Sequence, residues 1–148
     1  MENSINDFIL QSIGIESPYY VDEIIIDEDN KTINIKISSD KNKKFICPDC
    51  KQEKKVYDKL NKKWRHVDLV QYKVFIECKT PRVKCDDHGV KLVEVSWAKQ
   101  RHQFTYSMEE FICELATKMP LVHVGRVVDE YDTRIKRIIT GDNDEKDN

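Results

Sequence analysis

The sequence predicts an α+β chain: a small antiparallel β zinc-ribbon-like module followed by a three-helix helix-turn-helix segment. Three observations carry this. Ile33, Ile35 and Ile37 alternate with polar residues, and Tyr72, Val74, Ile76 and Cys78 share one parity, the period of two that marks half-buried strands. Two pairs of soft donors, Cys47-Pro-Asp-Cys50 and Cys85-Asp-Asp-His88, are separated by 34 residues. Beyond Thr105 the period becomes 3.6, because Met108, Phe111, Ile112, Leu115, Ala116 and Met119 fall on one helical face.

In chain order, Phe8, Ile9, Leu10 and Ile13 predict a short amphipathic helix that Gly14 stops before Pro18. Tyr20 to Ile26 and Thr32 to Ile37 are β-branched runs around the turn-rich interval Asp27 to Lys31, which reads as a hairpin. Residues 38–44 hold no apolar side chain and are expected to form a solvated connection. Strand patterns resume between Trp64 and Trp97, with a turn at Gly89. Three helices are then expected. The first runs from Ser107 to Lys118, with Ser107 and Glu110 as a capping box, the second from Pro120 to Glu130, and the third from Thr133 to Thr140, burying Ile135, Ile138 and Ile139. The implied division is 1–44 for the N-terminal helix and hairpin, 45–104 for the ribbon-like module, 105–140 for the helix-turn-helix, and 141–148 for a disordered acidic tail.

Composition narrows the function classes. Of 148 residues, 35% are charged against 39% apolar, so the core must be small and helped by something else, which argues against a large enzyme fold. The net charge of -2 hides a segmented distribution: -7 over residues 1–40, +9 over 41–106 and -4 over 107–148. A basic module thus sits inside a nominally acidic chain, and nucleic acid remains an expected partner. No run has the length of a membrane span, and Met1-Glu2-Asn3-Ser4 lacks the regions of a signal peptide, so a cytoplasmic protein with no membrane partner is expected.

The odd count of five cysteines, in a chain without a secretion signal, favours metal ligation over disulfides. Cys47, Cys50, Cys85 and His88 together supply the four N or S donors of a closed tetrahedral zinc site, with no open position for catalytic water. The metal is therefore expected to be structural. A thioredoxin-type redox pair would open a helix, whereas Lys51 to Lys55 is polar and lacks an apolar helical face. Cys78 is expected in the core, and Cys113 as a small packing residue beside the helical face. Trp97 and Phe104 are read as packing that joins the ribbon to the helices.

On the third helix, Arg134, Lys136 and Arg137 lie off the isoleucine face, where they could reach phosphates or base edges in a major groove. A solvated face on a small bundle is the competing reading, which periodicity alone leaves open. Lys62, Lys63 and Arg65, with Lys59, Lys73 and Arg101 among interleaved aromatics, fit an electrostatic footprint for phosphates.

Several motifs resemble one known family. Cys47-Pro-Asp-Cys50, Val56-Tyr57-Asp58, Trp64-Arg65-His66-Val67-Asp68-Leu69, Arg82-Val83-Lys84-Cys85 with His88-Gly89-Val90, Trp97-Ala98 and Phe104-Thr105 look like the N-terminal region of bacterial ISL-type insertion-sequence transposases. Their order and spacing match through most of residues 5–140. The resemblance implies a zinc finger followed by a helix-turn-helix, the pair recognising the element's terminal inverted repeats. It also implies a later RNase H-like domain carrying an Asp-Asp-Glu metal site. By position the zinc ligands carry over as Cys47, Cys50, Cys85 and His88, and no catalytic residue transfers. The acids after the third helix have no apolar partners on which to build a two-metal site. The expectation is therefore a zinc-binding DNA-recognition part of a transposase, truncated or standing alone, without the catalytic domain and so not itself an enzyme. Double-stranded DNA at transposon ends is the expected partner, with a full-length transposase or a second copy of the chain beside it. The alternatives are a zinc-stabilised protein-interaction module and an inactive transposase remnant.

Overall fold

The alternating runs form a five-stranded sheet in the computed structural model, which describes residues 2–40 and 43–141. Helix α1 (Glu2–Ile13) stops at Gly14, whose positive φ of 87° lets the chain turn while its N–H still reaches the Leu10 carbonyl. Strands β1 (Tyr19–Asp27) and β2 (Thr32–Ser39) form the expected hairpin, its loop held by the Asp27 carboxylate, which accepts from the N–H groups of Asp29 and Asn30. Alternation is strict along β2, where Ile33, Ile35 and Ile37 are buried. The strand also takes in Ser38 and Ser39, whose polarity predicts a solvated connection, because ladder pairing to Tyr19 and Tyr20 needs no apolar side chain.

Two short strands, β3 (Phe45–Ile46) and β4 (Glu53–Lys54), pair around the first cysteine pair. The long hairpin β5 (Val56–Leu69) and β6 (Tyr72–Cys85) follows, then β7 (Gly89–Leu92) against the end of β6. The sheet order is β1-β2-β6-β5, with β7 also on β6.

The sheet is mixed, which corrects the antiparallel expectation: β2 and β6 run parallel, with Ile33 opposite Val74, Ile35 opposite Ile76 and Ile37 opposite Cys78. Each hairpin is antiparallel by itself, but their apolar rows share one face only when the hairpins lie side by side in this direction. The segment between β2 and β6 is long enough to make the crossover. Those rows, with Ile13, Ile15, Trp64, Trp97 and Ala98, form the main core.

Strand β6 serves two cores. Val74, Ile76, Cys78 and Thr80 are buried on one parity and Pro81, Val83 and Cys85 on the other, so the sheet face is exchanged at Thr80-Pro81. The second half packs with Phe45, Cys47 and Val93 in a small cluster around the metal-ligand residues. Tyr19 links the two clusters, its ring 5.9 Å from Phe45 and 5.1 Å from Trp97.

The chain ends in α2 (Tyr106–Ala116), α3 (Leu121–Val128) and α4 (Asp132–Thr140), packed around Phe104, Met108, Ile112, Val124, Val128 and Ile135. Thr105 caps α2, its hydroxyl accepting from the Met108 N–H at 3.2 Å, so the predicted cap Ser107 lies inside the first turn. Phe111, Cys113 and Ile139 are exposed, contrary to expectation. Such short helices bury a stripe narrower than the apolar face their sequence offers. Trp97 belongs to the sheet core and Phe104 to the helical core, and the backbone of Phe104 bridges Arg65 on β5, so Phe104 is on the junction and the Trp97 side chain is not. The acidic tail beyond Gly141 lies outside the described residues.

Candidate metal centre and nucleic-acid interface

The first cysteine pair sits on a tight turn between β3 and β4, closed by the Lys51 N–H on the Cys47 carbonyl at 2.9 Å and the Cys47 N–H on the Gln52 carbonyl at 3.0 Å. Lys51 takes a positive φ of 62° there. The second pair turns from β6 into β7, with Gly89 at φ 77° supplying the left-handed position. Strand β6 carries the second turn to the first, and Lys91 on β7 pairs with Asp49 at 3.3 Å across them.

This brings the four predicted ligands together. The Sγ atoms of Cys47, Cys50 and Cys85 and a ring nitrogen of His88 all lie within 4.8 Å of one another. Cys50 Sγ stands 3.7 Å from Cys85 Sγ, and His88 Nδ1 stands 3.9 Å from Cys47 Sγ and 3.3 Å from Cys85 Sγ. A tetrahedron with zinc–sulfur bonds of about 2.3 Å and a zinc–nitrogen bond of about 2.0 Å has S···S edges of about 3.8 Å and S···N edges of about 3.5 Å. The donor set therefore fits zinc, whereas a disulfide would need its sulfurs at about 2.05 Å.

The surroundings favour the thiolate, the ligating form, at Cys47 and Cys85, while at Cys50 the lowering by the N–H of Gln52 is outweighed by burial and by the neighbouring Cys47 and Cys85 sulfurs, which raise the thiol. N–H groups of Cys50 and Asp49 point at Cys47 and hold its pKa below the ordinary thiol value. The hydrogen bond to His88, with N–H groups of Asp87 and His88, pulls Cys85 down to about 6. The His88 pKa is raised in turn by the same Cys85 contact. All four coordination positions come from the protein, so the zinc is structural. Cys78 is buried in the main core and outside this cluster.

The predicted phosphate contacts separate into two kinds. Lys63 is exposed, its ammonium 4.5 Å from the centre of the Phe75 ring, and Lys62 is half-buried beside it. Arg65 is only 4% exposed, which corrects its reading as a phosphate contact. Its guanidinium donates to Glu130 at 2.6 Å and Asp68 at 2.7 Å, so its burial is matched by carboxylates. Glu130, and Asp129 with its 2.6 Å bridge to Lys73, are the joining residues that sequence reading missed. The spacing of Glu130 and Arg134 is visible as a helical pair, but a partner 65 residues away leaves no local signal.

On α4, Ile135 is fully buried, while Thr133, Lys136, Arg137 and Thr140 cluster on the opposite side and Arg134 occupies one flank. Arg134 bonds Glu130 at 3.2 Å and keeps its side chain 44% exposed. Helix α3 ends at Asp129, with a left-handed φ of 56°, and three residues later α4 begins. Gly125 makes that close turn possible: a Cβ there would lie 2.9 Å from the Glu130 carbonyl oxygen and 3.0 Å from Asp132 Oδ1.

Comparison with known proteins agrees with this arrangement. Residues 43–88 match the zinc-finger of transposase IS204/IS1001/IS1096/IS1165, and residues 93–141 match the helix-turn-helix domain of transposase family ISL3. The chain is similar to the transposase for insertion sequence element IS1557 from Mycobacterium tuberculosis strains CDC 1551 / Oshkosh and ATCC 25618 / H37Rv, at 33% identity over 72 residues. That stretch is 47% of this chain and 16% of each relative, so the match spans about a sixth of the relatives' length. No solved structure matches the chain. With a Cys3His ribbon followed by a helical domain, the chain carries in this order the zinc ribbon and the helix-turn-helix domain that mark the N-terminal region of ISL3-type transposases.

Proposed function

We propose that this chain recognises double-stranded DNA at the terminal inverted repeats of an insertion sequence, with α4 as the reading helix of a three-helix helix-turn-helix. The observation that carries the reading is the exposed face of α4. Lys136 and Arg137 stand there with Thr133 and Thr140, while Ile135 holds the opposite side in the helical core. A helix presented in this way fits the major groove, where Arg and Lys find guanine acceptors and hydroxyls meet either a donor or an acceptor on a base edge. Lys62, Lys63 and Arg134 extend the basic footprint towards the ribbon. In this reading the zinc ribbon, residues 45–104, fixes the position of the helical reader, residues 105–140, and within residues 1–44 strands β1 and β2 extend the sheet beyond β6. No helix among the described residues is long and apolar enough to cross a membrane, and the reading places the protein in the cytoplasm with its DNA.

The zinc-loaded chain should bind a terminal-repeat duplex more tightly than a scrambled duplex, and Arg137→Ala should lower that preference by roughly tenfold, within the 1–3 kcal/mol typical of a base contact. Fluorescence anisotropy at several salt concentrations measures both. Equal affinity for the two duplexes, or an Arg137→Ala variant with unchanged preference, would overturn the reading. It assigns recognition and not strand transfer to these residues, so Mg- or Mn-dependent nicking by the purified chain would also count against it.

A further inference from the structure

The outer edge of β5 faces a second basic site. The N–H of Arg65 points away from β6 and donates to the Gln103 carbonyl at 2.9 Å, while the Arg65 carbonyl accepts from the Thr105 N–H at 3.0 Å. Antiparallel pairing alternates, so the N–H and carbonyl of Lys63, two residues earlier, are turned towards the same edge. There the chain of residues 99–103 stands off, and a cleft of about 420 Å³ opens between it and the strand. Lys62 and Lys63 line the strand side, Lys99 and Arg101 the opposite side, and Arg134 of α4 closes one end. Among the described residues the one acid on its wall, Glu130, is engaged by Arg65 at 2.6 Å and by Arg134 at 3.2 Å. Lys62, Lys63 and Lys99, from two parts of the chain, thus converge on a space whose one acid among the described residues is already paired. Such a concentration of like charge disfavours the free protein and focuses potential for an anion.

We propose that this cleft holds backbone phosphates of DNA flanking the base pairs that α4 reads, forming a sequence-independent second grip. This rests on the DNA-recognition reading above. Backbone phosphate is favoured over a free phosphate or nucleotide because Arg134 belongs both to the cleft and to the flank of α4. A duplex seated on Lys136 and Arg137 would lay its adjacent backbone along that flank. The cleft also fixes how the ribbon contributes: through Lys62, Lys63, Lys99 and Arg101, with Arg65 on its wall held by Glu130 and Asp68.

The test compares the zinc-loaded chain with its Lys62→Ala/Lys99→Ala variant, matched for zinc content and circular dichroism, on terminal-repeat and scrambled duplexes across a salt series. The variant should lose affinity by the same factor on both duplexes. Its slope of log affinity against log salt should be shallower by about 0.9 for each phosphate no longer neutralised. Lys62→Arg/Lys99→Arg should restore both. An unchanged slope, or a loss confined to the terminal-repeat duplex, overturns the cleft while leaving the reading helix standing. Failure of the unaltered chain to bind any duplex overturns the DNA-recognition reading and the cleft with it. Amine acetylation of the unaltered chain gives an independent measurement. DNA should protect Lys62, Lys63 and Lys99, and protection by inorganic phosphate but not by DNA would also overturn the proposal.

Discussion

The buried guanidinium of Arg65 on β5 and the carboxylate of Glu130, just beyond the end of α3, meet at 2.6 Å and join the sheet to the helical end of the chain. Glu130 is 11% exposed, so both partners are largely removed from water. Removing one strands the other, at a typical cost of about 3–5 kcal/mol, and the remaining bond from Arg65 to the more exposed Asp68 should hold Glu130→Ala near the lower end. An Arg65→Met/Glu130→Leu double variant should lie closer to the unaltered protein than either single change predicts. Urea unfolding of the zinc-loaded chain measures both; a Glu130→Ala variant with unaltered stability would show that the pair does not hold the junction.

Thr105 joins the same two regions through a neutral contact. Its buried hydroxyl caps α2 and lies 2.7 Å from His66 Nδ1 on β5. Thr105→Ala should cost about 1–2 kcal/mol, and Thr105→Ser should recover most of it. Burial holds the His66 pKa below its ordinary value of 6.5. The unfolded chain therefore takes up a proton near 6.5 that the folded chain resists, and this contribution to stability, complete above that pH, is lost as the pH falls below it. His66→Gln should flatten that part of the pH–stability curve, as measured by thermal melts between neutral and mildly acid pH.

Gly125 sits where a side chain has no room. Its missing Cβ would press on the backbone carbonyl of Glu130, which cannot swing aside because the Glu130 N–H is bonded to the Gly125 carbonyl at 2.9 Å. Gly125→Ala should therefore lose about 1–3 kcal/mol despite the better helix propensity of alanine. The shift should fall on the turn between α3 and α4, where hydrogen exchange at Glu130 and Ile135 would accelerate. Stabilisation by Gly125→Ala would contradict the close approach.

The zinc ribbon should bind one zinc per chain. Cobalt in its place should give the thiolate charge-transfer and ligand-field bands of a tetrahedral site. Chelation should unfold the ribbon around Phe45, Val83 and Val93, because Cys47 and Cys85 are part of that small core. Acid should release the metal, since protons compete for the thiolates. A circular dichroism spectrum unchanged by a strong chelator would sink the structural role.

Much of the candidate site is legible in the sequence because its signals are local. Each ligand pair carries its own spacing and turn residue, and Ile135 set against Lys136 and Arg137 marks a helical face within one turn. The exposed Phe111 and Ile139 show the limit: periodicity reports which face is apolar, not how much of it a small bundle can cover. Thr105 is not legible as a cap because the helix entry is positioned by bonds to β5, far away in sequence.

By itself, then, the sequence determined the four zinc ligands, the first hairpin, the change from strands to helices and the basic face of α4, all of which follow from spacing, periodicity and turn chemistry. Only the tertiary structure decided that β2 and β6 run parallel, that β6 changes faces at Thr80-Pro81, and that Arg65 turns inward to Glu130 while Lys62, Lys63 and Lys99 face a common cleft. These depend on which distant segments share a face. A charged side chain is buried or exposed according to the partners brought to it, and no local pattern records that meeting.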